Sequence, residues 1–154
     1  MPTTFDSDAD IDRIGLGVIY RTLPKAEWTH AAHFAAALWL MRHRPDWRLE
    51  ARLPELIRAY NAATGVPNTD AGGYHETITL ASLAAARAFL AAQRPGRPLC
   101  EVATALLESP LGRSDWPLAY WSKTSLFSVA ARRAWVEPDL KPFDSAEAAG
   151  LQAG

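Results

Sequence analysis

The chain has 154 residues, of which 49% are hydrophobic and six are tryptophan, enough for one packed domain without covalent staples. With 16 basic and 17 acidic residues the formal net charge is −1, which carries no electrostatic footprint for nucleic acid or an anionic membrane surface. The single cysteine, Cys100, excludes an internal disulfide and a cysteine-based zinc site, and reads as a core residue of a protein kept in the reducing cytoplasm.

The opening residues are acidic where a secretory signal would be basic, and no apolar run approaches the length of a membrane span, so export and membrane insertion are disfavoured. Asp8 or Asp10 is placed to cap a first helix whose apolar stripe is Ile11, Ile14, Val18 and Ile19. Gly15 and Gly17 lower its intrinsic stability, and their presence predicts close approach of another helix.

Pro24 suits a first helical turn and Pro45 disfavours helix at Arg44, which predicts a second helix from Pro24 to His43. At roughly 100° per residue, Phe34, Leu38 and Met41 mark its core side, while Lys25, Thr29, Ala36 and His43 gather opposite. Glu27 and His30 fall inside the core arc and His33 lies at its edge. Trp28 and Trp39 read as core rather than as stacking platforms. A third helix carries Leu49, Leu53, Leu56, Ile57 and Tyr60, capped by Asp46, kinked or broken at Pro54 and stopped at Gly65.

The run from Gly65 to Gly73 is the most loop-like interval, and Asn61, Asn68 and Thr69 are placed to cap and fix it. A fourth helix follows from about Tyr74 to Ala92, with His75 on its core face and Glu76 flanking it. A fifth spans Leu99 to Glu108. The last quarter predicts a short turn at Asp115-Trp116-Pro117 and a helix capped by Ser125 or Ser128 running toward Trp135. From Asp144 onward large apolar residues run out, which predicts a frayed tail over 144–154. The pattern is an all-α bundle of five to seven helices without a sheet, forming one domain over 1–154.

Two inward polar stretches stand out, Glu27 to His33 and Tyr74 to Glu76. A buried carboxylate or imidazole without a partner costs several kcal/mol, so such groups are paired, hydrogen-bonded or metal-bound. One reading makes His30 and His75 ligands of a mononuclear divalent transition metal such as Zn, Fe, Mn or Ni, with a third ligand from His33, Glu27 or Glu76. Glu76 then acts as base toward metal-bound water in a hydrolase or lyase, with Tyr74, Asn61 and Asn68 contacting a small-molecule substrate. The other reading is a non-enzymatic binding or interaction protein. In it His30 donates to Glu27 or a loop carbonyl, His75 buttresses its helix start, and the cluster is a hydrogen-bonded network. Glu27-x-x-His30 matches half of a dinuclear carboxylate site, but no second Glu-x-x-His exists to complete one.

The segments Leu23 to His33, Tyr60-Asn61, Asn68-Thr69, Gly73 to Thr79 and Trp135 to Leu140 resemble a group of small, uncharacterised bacterial helical proteins. That resemblance covers most of residues 20 to 142 and implies a compact helical domain. A looser likeness to DinB-type bundles, which present three histidines to a divalent ion, rests on size and histidine count. The order and spacing of the histidines here differ from theirs.

Overall fold

The computed structural model describes residues 5–151 and is all-α, with no strand among the described residues. Five helices carry the architecture: α1 (Asp8–Ile19), α2 (His30–His43), α3 (Leu49–Ala63), α4 (Glu76–Ala91) and α5 (Leu99–Glu108). Three short ones follow, α6 (Lys123–Leu126), α7 (Val129–Arg133) and α8 (Ser145–Ala148). The five long helices match the all-α bundle expected, and the three short ones are single turns of the last quarter, each closed by its own cap. Ser122 accepts from the Ser125 N–H, Ser128 from Ala131, and Asp144 from Ala146 and Glu147. No described helix is long and apolar enough to cross a membrane.

Helix α2 is the centre of the bundle, touching α1, α3, α4 and α5. Nine consecutive or near-consecutive residues from Ala31 to Leu40 are buried, and Ala36, expected on a polar far side, is fully enclosed. A helix apolar on every side belongs in a core. Its alanines allow the close approach: a methyl group added at Gly15 of α1 would sit 2.4 Å from the Trp39 ring, so α1 rides directly on that indole. The Trp39 Nε1–H donates to Asp12 Oδ1 at 2.8 Å, which satisfies the one polar atom of a side chain 4% exposed.

The expected cap of α1 is corrected. Ser7 occupies the N-cap position, Asp10 accepts from the Ser7 N–H, and Asp8 reaches instead to the first turn of α5, accepting from the Cys100 N–H at 2.8 Å. That hydrogen bond holds the Asp8 carboxyl below its usual range. Cys100 itself is half-buried rather than core. Pro54 lies within α3 without breaking it, and Gly65, at φ +80°, ends the segment as expected.

The expected fraying after Asp144 is also corrected through residue 151. Helix α8 docks on α4, with Ala148 and Ala149 buried. The Tyr120 hydroxyl donates to Glu147 Oε1 at 2.7 Å and the Lys141 ammonium lies 2.8 Å from the same carboxylate. Residues 1–4 and 152–154, part of the expected domain and tail, lie outside the described residues.

The irregular stretch between α7 and α8 is held by buried side chains. Thr77, fully buried in α4, donates to the Ala134 carbonyl at 2.9 Å and accepts from the Val136 N–H at 3.2 Å. Trp121, also fully buried, donates to the Val136 carbonyl at 3.0 Å and packs against Trp135 and Phe143.

Candidate functional site

Helix α2 begins six residues later than Pro24 suggests. A 3-10 turn, Lys25–Glu27, comes first, and Thr29 caps α2 by accepting from the Ala32 N–H at 3.2 Å. This moves Glu27 off the helix. Its carboxylate pairs with the Arg13 guanidinium at the surface, one contact being Nη2 to Oε2 at 2.9 Å, and that partner lowers its pKa. Glu27 therefore does not join the histidines.

The later start makes His30 the first helical residue and His33 the fourth. The His33 Nδ1–H donates to the Thr29 carbonyl at 2.6 Å, and the His30 Nε2–H donates to the Leu111 carbonyl at 2.7 Å. A carbonyl acceptor requires the proton on the nitrogen facing it. His33 is thus left with a lone pair on Nε2 and His30 with one on Nδ1. No buried side-chain nitrogen or oxygen among the described residues lacks a partner, so the uncommitted His30 Nδ1 is open to solvent.

Trp28 stacks on His33 with ring centroids 3.7 Å apart and is itself backed by Tyr60 at 5.2 Å. His33 is exposed by surface area, yet Trp28 covers one face of its ring and side chains of α3 and α4 crowd around it. Desolvation by this crowding pushes the His33 pKa down to about 4, with nearby His30 adding to the effect and the Thr29 hydrogen bond opposing it. His33 is a neutral acceptor at ordinary pH.

Two adjoining chambers meet at this ring. The inner one, about 300 Å³, lies between α2, α3 and α4, with Phe34, Leu53, Ile57, Leu83 and Trp116 on its walls. His30, Ser82 and Ser114 provide polar edges. The outer one, about 390 Å³, is bordered by Lys25, Asn61, Val66, Tyr74 and His75. Trp28, His33, Ile57, Ile78 and Thr79 line both and stand at the junction between them.

His75 reaches the outer chamber with its nitrogens committed. It is the N-cap of α4, its Nδ1 accepting from the Ile78 N–H at 3.1 Å while Nε2–H donates to the Leu126 carbonyl at 2.7 Å. Burial lowers its pKa too. Glu76 does not face either chamber; it accepts from the Tyr74 hydroxyl at 2.5 Å. Tyr74 is buried, with the Arg58 guanidinium 4.3 Å from its ring centroid. Asn61 donates to Asn68 Oδ1 at 3.0 Å, and the same oxygen accepts from the Tyr74 N–H at 3.1 Å. The two asparagines thereby fix the loop that forms the outer rim, and Asn68 does not border either chamber. Among the described residues, no three or more His, Cys, Asp or Glu side chains are grouped to hold one metal ion.

Sequence reasoning missed Trp28 and Lys25 as parts of the site. One signal was available for Trp28. With Thr29 as cap, Trp28 and His33 occupy the N′ and N4 positions that pack together in a hydrophobic staple. Comparison of the chain with protein-family models, curated proteins and solved structures yields no match.

The two depressed histidines set a pH dependence. The unfolded chain takes up protons near pH 6.5 that folded His33 refuses until about pH 4, so stability falls as pH drops through that window and is unaffected by these groups above it. Carboxylates held low by their partners, such as Asp8, Glu27 and Asp70, add their own losses once pH falls below their ordinary values of 3.8 and 4.5. Denaturant titrations of His33→Gln between pH 7 and 4.5 are expected to show a shallower decline than the parent. An identical slope would contradict the assignment.

Proposed function

We propose that this chain is a cytoplasmic small-molecule-binding protein whose ligand occupies the two chambers joined at Trp28 and His33. The observation that carries the reading is the pairing of a mostly apolar cavity with two imidazoles whose acceptor nitrogens are uncommitted. Pockets of about 300–1,000 Å³ with few, fixed polar groups are the usual form of a ligand site. The apolar walls supply affinity, and His33 Nε2 and His30 Nδ1 orient a hydroxyl, amide or other donor. The Thr29 and Leu111 carbonyls hold both rings in place before the ligand arrives, which limits the entropy lost on binding.

The test uses 1-naphthol, a neutral aromatic alcohol sized for the inner chamber, in calorimetric titrations. Ser82→Trp places an indole in that chamber from the half-buried face of α4. It is expected to weaken naphthol binding at least about tenfold while the helical circular dichroism is kept. Unchanged affinity in the variant would remove the inner chamber as the site.

A second reading, a metal-dependent hydrolase or lyase, is favoured by one observation. A metal-bound histidine characteristically donates its other N–H to a carbonyl or carboxylate, as His30 and His33 both do. Zn, Fe, Mn or Ni held by these two would keep positions open for water and substrate. Elemental analysis of protein purified without a metal-affinity tag is expected, on this reading, to find near-stoichiometric metal that His33→Ala loses. A parent that stays metal-free after incubation with all four ions would end it.

A further inference from the structure

The charge around the chambers is one-sided. No aspartate or glutamate lines either one, and Lys25 is the one lysine or arginine on their walls. Among the described residues the Lys25 ammonium has no acidic partner, and the carboxylate two residues on, Glu27, is already taken by Arg13. The 3-10 turn thus presents an unpaired cation at the outer chamber. Across the shared residues Trp28, His33, Ile57, Ile78 and Thr79 lies the inner chamber, walled by Phe34, Leu53, Leu83 and Trp116.

We infer that the ligand is an amphipathic monocarboxylic acid, its compact apolar body seated in the inner chamber and its carboxylate at Lys25 in the outer one. This rests on the two-chamber reading above. At about 30 Å³ for each water-sized group, the inner volume holds about ten such groups, which matches a chain of about eight carbons or a ring with a short side chain. The junction sets the geometry. Trp28 and Ile78 cover the apolar segment while His33 Nε2, an acceptor, repels a carboxylate that would otherwise sit deeper and so directs the charged end outward. An amine at the same end would face Lys25 and is rejected by like charge.

The inference is tested by titrating the protein at pH 7.5 with octanoate, octanamide and octylamine, which share the apolar body and differ in the head. Octanoate is expected to bind about fivefold more tightly than octanamide, with octylamine weakest, and the preference for the acid should shrink as salt is raised. Lys25→Gln is expected to bring octanoate to the affinity of octanamide while leaving octanamide unchanged, and Lys25→Glu to favour octylamine. If octanamide binds and octanoate is no tighter, or if the acid preference survives Lys25→Gln, the inference about the head group is overturned and the chamber reading stands. If none of the three binds while 1-naphthol does, this inference falls and the chamber reading stands; if naphthol fails as well, both fall.

Discussion

Replacing Trp121 with alanine is expected to remove about 3–5 kcal/mol of stability, the largest loss from any one side chain considered. The ring is fully buried, and its loss empties a space bounded by Trp135 at 5.5 Å and Phe143 at 5.5 Å between centroids. The Val136 carbonyl loses its donor at the same time. Few other hydrogen bonds tie the stretch after α7 to the rest of the fold: the Thr77 hydroxyl at its start, then Leu140 N–H to the Tyr120 carbonyl and Ser122 N–H to Asp139, beside the packing of Phe143 on Trp116 and Tyr120. A domain whose total stability is about 5–15 kcal/mol would surrender a large fraction of it. Urea unfolding measures the loss directly. Trp121→Phe, which keeps a ring but not the donor, is expected to recover most of it. A Trp121→Ala loss below about 1 kcal/mol would mean that the segment is anchored elsewhere.

The second large effect is at His75. His75→Ala is expected to destabilise the fold by about 2–4 kcal/mol, combining a lost helix cap with a carbonyl left unpaired in a buried place. Its Nδ1 is the acceptor for the Ile78 N–H and its Nε2–H the donor to Leu126, so one imidazole starts α4 and ties it to α6. Asparagine can replace the cap but does not span to the Leu126 carbonyl, and His75→Asn should therefore regain about 1 kcal/mol. Chemical denaturation of the three proteins at pH 7.5 provides the comparison. Equal stability of His75→Ala and the parent would show that neither hydrogen bond matters to the fold. For binding experiments the consequence is practical, since a His75 variant that loses ligand or metal has first to be shown folded.

Much of the helical layout was legible. Pro98 before and Pro110 after an apolar stripe delimit α5 at Leu99–Glu108, the bounds the structure has. Gly15 signalled the close approach of another helix, which Trp39 of α2 makes, whereas Gly17 is met by Leu23 of the turn that follows α1. The start of α2 was misread because proline at a first turn suits a 3-10 turn as well as an α-helix. The stronger marker was Thr29, an N-cap residue preceding an alanine-rich run. Shifting the start detaches Glu27 from the helical face on which angular reckoning placed it, and frees it to pair with Arg13. The inward direction assigned to His75 was sound, since it is 8% exposed, but direction does not say which atoms the nitrogens meet. Those atoms are backbone carbonyls and an amide, which every residue type supplies equally and which leave no mark on composition or spacing.

By itself the sequence determined what local periodicity and capping can determine: an all-α chain, the five long helices, and the inward-facing His30 and His75. Each of these depends on residues within a turn or two of one another. The tertiary structure alone decided the rest. It buried most of α2 between Ala31 and Leu40, docked α8 through the buried Ala148 and Ala149, and set two chambers side by side at a ring stacked under Trp28. It also satisfied the histidines across long separations, His30 with Leu111 and His75 with Leu126. The physical reason is that a buried imidazole must find a partner, while the partner it finds is whatever the packing of distant segments brings within about 3 Å.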